Sequence, residues 1–250
     1  GQHHEDPVLL IKAAWGGHSL YKKFRSPSNP PSRERLEQDL SKQQEQVRRQ
    51  NEKRKQNEPL PSMEQVRAEY GSSYRDMVDE VNEVRSNLAT LFPELTDSEW
   101  KLSGFFWFQG CNDQYHGAEV EYAQNMKMFI QDVRKEFDAP DLPFVIAVMG
   151  QNMSTEPKGP MKVIQEAQLS MTEIPEFKHT VRAVRTDTLV DKAAEKLYPN
   201  WKENFELWQL TGSDRAYHYL GSAIWMTRIG RACAEAMIEL QSEAARGAGL

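Results

Sequence analysis

The chain reads as an α/β protein with a doubly wound, mostly parallel sheet and a helical insertion. Two observations predict this. Short apolar runs recur, most leading straight into glycine-containing loops, with helical patterns between them. A long charged segment, residues 30–95, interrupts that alternation with a different texture. The runs also lack clean period-two alternation, as expected of parallel strands covered on both faces.

In chain order, the first predicted strand is Val8–Ala13 (VLLIKA), followed by the loop AWGGHSL, residues 14–20. The charged segment comes next. From Arg33 to Lys55, 13 of 23 residues are charged, eight basic and five acidic. Leu36, Leu40 and Val47 are its only large apolar residues and fall at helical spacing, so Ser32–Asn57 is expected to form an exposed helix. Pro59 and Pro61 break the chain. A second helix starts near Ser62 as N-cap and carries a seam of Val66, Tyr70, Tyr74, Met77, Val81, Val84, Leu88 and Leu91 until Pro93. Further strands are expected at Gly104–Phe108, Phe144–Met149 and Val181–Val184. Helices are expected at Ala118–Phe137, Met161–Ile174 and Tyr219–Ala244.

Composition excludes several classes. The 250 residues carry 31 Lys+Arg and 37 Asp+Glu, a net charge of −6, with no basic excess for a nucleic-acid binder. No apolar run reaches the roughly 20 residues of a membrane span. Mean hydropathy is −0.72. Cys111 and Cys233 form neither a CxxC pair nor a disulfide framework, and the compartment stays open. The six histidines make no HExxH or tight carboxylate cluster, so no metal is expected; His3 and His4 read as surface residues. No GxGxxG and no GxxxxGK[ST] is present, and no cofactor is expected.

In open α/β sheets, function sits in loops at the carboxyl ends of strands. Three such loops carry chemistry. In AWGGHSL two glycines bring backbone N–H groups close to a ligand, or simply make a turn. In QGCND, Gln109–Asp113, the Asn112 amide offers two hydrogens to a developing negative oxygen, or caps a helix. In GSDRAYHYLG, residues 212–221, Asp214 and His218 precede a long helix. Histidine moves protons near neutral pH and a carboxylate fixes its tautomer, though such pairs are also structural.

At these loops the sequence resembles the SGNH-hydrolase superfamily, and within it the sialate O-acetylesterase and acetylxylan-esterase-like carbohydrate esterases. LLIKAAWGGHSL is similar to that group's strand and GG-x-S/T loop. WFQGCND, Trp107–Asp113, resembles its W-x-Q-G block, and SDRAYHY, Ser213–Tyr219, its Asp–His block. The resemblance covers residues 1–29 and 96–240. It implies an esterase domain of residues 1–29 and 96–250, with 30–95 as the charged helical insertion.

The implied activity is hydrolysis of O-acetyl esters on carbohydrate by a serine–histidine mechanism without cofactor. Gly17 (backbone N–H) and Asn112 would hold the oxyanion. His218 would be the base and Asp214 would orient it. Gln109, Gly110 and Trp15 would bind substrate. Trp107 and Trp225 are further candidates for a sugar-stacking face, or core aromatics. Family habit implies a periplasmic or secreted location.

The sequence departs from the family twice. Asp214 and His218 are spaced D-x-x-x-H rather than D-x-x-H, with Arg215 between. The GQSN-like block with the nucleophilic serine has no counterpart in these 250 residues, so the serine is expected outside the chain, which alone would be inactive. GQHHEDP resembles the end of the helix that follows that block. Met149–Ser154 (MGQNMS) imitates the block by eye, leaving Ser154 as an outside candidate, and Ser19 as another. The family's 2-1-3-4-5 strand order implies that, without the nucleophile strand, the chain folds poorly or pairs Val8–Ala13 directly with Gly104–Phe108. The reading from another class is a non-catalytic scaffold that acts through a protein partner at the helical insertion.

Overall fold

The computed structural model describes residues 7–96, 98–213 and 217–248. The chain divides into two compact units, Leu9–Glu99 and Gly1–Val8 with Trp100–Leu250.

In the first unit the charged segment forms helix α1, Arg33–Arg54, capped by Ser32, whose side chain accepts from the Arg35 N–H. Only Leu36 of α1 is buried. It packs with Leu40 against Val66, Tyr70 and Met63, so one end of the helix is docked and the rest is solvated. Helix α2, Met63–Glu69, begins at the predicted Ser62 with a reciprocal capping box to Gln65.

The seam that continues to Leu91 predicts a single helix, but the chain breaks at Tyr70–Gly71 and restarts as α3, Ser72–Leu91. The cause is a close approach. The Gly71 N–H donates to Lys22 O at 2.8 Å and the Ser73 N–H to Lys23 O at 2.9 Å. Gly71 sits at φ +69°, where a Cβ would lie 2.9 Å from Arg25 O. The helix is interrupted for two residues to tie in the 19–29 loop.

Val8–Ala13, predicted as a strand, is not one. Among the described residues the only sheet has three strands in the order β1-β2-β3, and these residues join none of them. Val8 and Leu10 are 61% and 88% exposed. A parallel strand needs a neighbour to satisfy its backbone N–H and C=O groups, and an apolar run without one stays irregular. The direct pairing with Gly104–Phe108 does not form.

The second unit holds the sheet. Strand β1 is Phe105–Trp107, β2 Phe144–Val148 and β3 Val181–Arg185, all parallel. Helix α4, Tyr122–Glu136, links β1 to β2, and α5, Gly159–Ser170, links β2 to β3. After β3 come α6, Lys192–Leu197, α7, Phe205–Thr211, and α8, Ala223–Ala248.

All five residues of β2 are buried, which explains the run without alternation. The register sets Phe105 beside Phe144 and Trp107 beside Ile146. On that face Phe129 of α4 meets Phe105, Trp107 and Phe144 with ring centroids 5.8, 4.6 and 6.3 Å apart. On the other face Val145 and Ala147 join the α8 stripe of Trp225, Ile229, Cys233 and Leu240. Burying each of these large side chains contributes about 1.5–3 kcal/mol. Burial also pushes the Cys233 thiol up to about 11. Helices thus cover both faces of a mixed α/β unit. No helix among the described residues is long and apolar enough to cross a membrane.

Candidate functional site

Three loops leave the carboxyl ends of the three strands, and the turn before α8 joins them. The loop after β1 is fixed by a buried polar network. The Tyr122 hydroxyl accepts from Trp107 Nε1 at 3.2 Å and from Gln168 Nε2 at 3.1 Å, and donates toward Gln109 O at 3.1 Å and Oε1 at 3.2 Å. Gln168 Nε2 also donates to Gln109 O at 2.7 Å, and Gln168 Oε1 accepts from the Met149 N–H at 2.8 Å. One glutamine therefore staples the ends of β1 and β2. Gln109 Nε2 donates to the buried Asp113 at 2.6 Å and closes the 109–113 turn. Burial, reinforced by the nearby Asp113 charge, pushes the Tyr122 phenol far up, so it stays protonated and the network keeps one polarity.

Asn112 sits half-exposed on the 3-10 turn Cys111–Gln114. Gly110 is buried, and a Cβ there would lie 3.2 Å from both Ile164 and the Met149 sulfur, so its place is set by packing.

The loop after β2 passes through Gly150, where a Cβ would lie 2.3 Å from Asp187 N and from Thr186 Oγ1. Only glycine allows that contact between the β2 and β3 loops. The Gly150 N–H donates to the Tyr219 hydroxyl at 3.1 Å. Thr186 donates to Val148 O at 2.6 Å, and its Oγ1 lies 3.4 Å from the same phenol. The Tyr219 ring rests 5.1 Å from that of Phe108 and edge-on to Trp225 at 4.9 Å. Burial pushes its phenol upward.

His218 precedes this anchor. His218, Tyr219, Leu220 and Gly221 all have positive φ, between 49° and 62°. Such a left-handed run costs non-glycine residues about 1–2 kcal/mol each. Surrounding packing maintains it: Tyr219 and Leu220 are buried, and the Ser222 hydroxyl donates to Asp191 at 2.6 Å. Backbone strain of this kind clusters at functional sites. The His218 ring is exposed, with Nδ1 3.3 Å from Gln151 Nε2 and the Tyr217 ring edge-on at 5.9 Å.

The structure thus brings His218 to the carboxyl end of the sheet, where the Phe108–Tyr219 contact joins its turn to the loop that carries Gln109, Gly110 and Asn112. Asp214 lies outside the described residues, as do His3 and His4. Gly17 belongs to the other compact unit, at φ +80° in an exposed turn. Beside it Trp15 stacks on His18 at 6.0 Å, and His18 Nδ1 lies 2.7 Å from the Ser73 hydroxyl. Ser19 accepts from the Lys22 N–H at 3.1 Å, as a hydroxyl that stabilises the loop does.

Trp107 and Trp225 are not a sugar-stacking face. They are 5% and 0% exposed because they fill the two sides of the sheet. Ser154 is hydrogen-bonded to Glu195, Oγ to Oε2 at 2.6 Å and N to Oε1 at 2.7 Å, and Lys192 reaches the same hydroxyl. No hydrogen bond among the described residues joins it to His218.

Sequence reasoning missed Gln151, Tyr219 and Gln168. Gln151 lay in plain view within MGQNMS, but only as part of a segment that imitates the nucleophile block. Gln168 falls on an ordinary helical pattern and carries no sequence signal.

A family model described as carbohydrate esterase, sialic acid-specific acetylesterase matches residues 2–197. No curated protein and no solved structure gave a match. The matched span includes the Gly17 and Gln109–Asp113 loops and ends before His218. Covering most of the 250 residues, it establishes that this chain belongs to the sialic acid-specific acetylesterase family of carbohydrate esterases.

Proposed function

We propose that the chain supplies the oxyanion and base groups of a serine esterase that removes O-acetyl groups from carbohydrate, sialate-type sugars being the family's substrate class. In this reading residues 1–29 and 96–250 are the esterase domain, built on a doubly wound sheet, and 30–95 is a helical insertion. The attacking serine comes from a block outside these 250 residues, as the resemblance implies.

Its hydroxyl oxygen bonds to the acetyl carbonyl carbon while His218 takes the proton. The Asn112 amide and the Gly17 N–H stabilise the oxyanion. When the tetrahedral intermediate collapses, the C–O bond to the sugar breaks and His218 returns the proton to the sugar hydroxyl. Water then attacks the acetyl-serine, again with His218 as base, and acetate leaves. Gln109, Gly110 and Trp15 are the proposed substrate contacts and Asp214 the proposed orienting acid.

The observation that carries this reading is the strained left-handed turn at 218–221, held by Tyr219 against Phe108 and Gly150 so that an exposed imidazole stands at the strand ends. A fluorophosphonate probe and 4-nitrophenyl acetate test it. An N-terminally extended protein is expected to label and to hydrolyse the ester, and His218→Ala to abolish both. Equal activity in the 250-residue chain would remove the external serine from the proposal. Absence of labelling in the extended protein would favour the scaffold reading.

A further inference from the structure

We propose that Gln151 is a positioning residue for His218, holding the imidazole through Nδ1 in the place that the family resemblance gives to Asp214. This rests on the esterase reading for its consequence and on geometry for its substance. Two adjacent pairs join the β2 loop to the turn before α8. The Gly150 N–H donates to the Tyr219 hydroxyl at 3.1 Å in the buried layer. One residue along each chain, Gln151 Nε2 lies 3.3 Å from His218 Nδ1 at the surface. The buried pair cannot slide: a Cβ at Gly150 would strike Asp187 and Thr186, and the Tyr219 ring is held between Phe108 and Trp225. The surface pair is therefore in fixed register.

A neutral imidazole carries one N–H, and the partner of Nδ1 decides which nitrogen holds it. An amide is two-faced. With Nε2 toward the ring it donates to Nδ1 and leaves the proton on the distal nitrogen. Turned over about its last torsion, it presents Oε1, accepts Nδ1–H and frees the distal nitrogen as a base. That second orientation is the one the proposed reaction uses, with a neutral amide doing what a carboxylate does in a Ser-His-Asp arrangement. The Tyr217 ring stands 5.9 Å from the imidazole, at 85° to it. The reading makes MGQNMS a functional segment although it lacks the nucleophile.

The experiment compares Gln151→Leu and Gln151→Glu, with His218→Ala and Asp214→Asn as references. In the extended protein, Gln151→Leu is expected to lower kcat at least about tenfold with KM little changed. Gln151→Glu is expected to recover most of that loss and to move the acidic limb of the rate profile upward by about one pH unit, because a carboxylate favours the imidazolium. In the 250-residue chain, the Hε1 proton resonance of His218 reads the same upward displacement without any activity. An unmoved His218 titration in Gln151→Glu, with full kcat in Gln151→Leu and a loss confined to Asp214→Asn, would overturn the proposal. Full activity in His218→Ala would overturn the esterase reading instead, and the resonance would still decide the contact.

Discussion

Asn112, on the loop after β1, and Tyr122, at the start of α4, separate proposed chemistry from support. Asn112 is half-exposed on a turn whose shape its neighbours hold, so Asn112→Ala should leave folding intact while removing the proposed oxyanion donor. The expected loss is about 3–4 kcal/mol in the barrier, read as a fall of two to three orders of magnitude in kcat at constant melting temperature. Tyr122 behaves in the opposite way. Tyr122→Phe keeps the ring but takes away the acceptor that the Trp107 indole and the Gln168 amide share, while Gln168 keeps its bond to Gln109 O. Losing these buried bonds costs about 1–3 kcal/mol, which urea denaturation should report. A change below a few tenths would mean that water replaces the hydroxyl.

At the scale of elements, the sheet was largely readable because burial leaves a mark on composition. Phe144–Val148 is an unbroken apolar run since both faces are covered, and Phe105–Trp107 is aromatic since Phe129 meets it from α4. What sequence could not supply is partnership. Val8–Ala13 has the composition of a strand but no neighbour in the sheet, and the apolar seam through Tyr70 runs across a helix break that a distant loop imposes at Gly71. The helices Lys192–Leu197 and Phe205–Thr211 lie in a stretch too short and too mixed to show a period. The three chemical loops were legible as motifs; the contacts that Tyr219 makes with Phe108 and Gly150 were not, since a phenol bonded to Gly150 across 69 positions leaves no local pattern. That contact makes a prediction at the same scale. Gly150→Ala forces the β2 and β3 loops apart, since its Cβ would lie 2.3 Å from Asp187 N. Overpacking of this kind costs about 1–3 kcal/mol, and it should release Tyr219 and broaden the His218 resonance together. A normal His218 spectrum in a destabilised variant would show that the turn does not depend on that loop.

For the molecule as a whole, acid stability follows from two carboxylates that brace the loops behind the site. Burial pushes the Asp187 carboxyl up, but the two hydrogen bonds from Arg185, at 3.1 and 2.5 Å, and one from Asn152 outweigh it and leave it below its ordinary 3.8. Glu195 is likewise drawn below 4.5, its burial outweighed by the Ser154 hydroxyl and N–H and by Lys192. A carboxyl whose value is lowered on folding contributes stability at pH above its unfolded value, and that contribution disappears as pH falls through the folded value. The chain should therefore lose melting temperature as pH drops below about 4, beyond the general effect of its growing positive charge. Arg185 is 48% exposed and Lys192 69% exposed, so salt screens both pairs and the effect is modest. Asp187→Asn should lower stability at neutral pH and flatten the acid limb, and Asp187→Asn with Glu195→Gln should flatten it further. Melting curves that keep the parent's pH dependence in the double variant would place the acid sensitivity elsewhere.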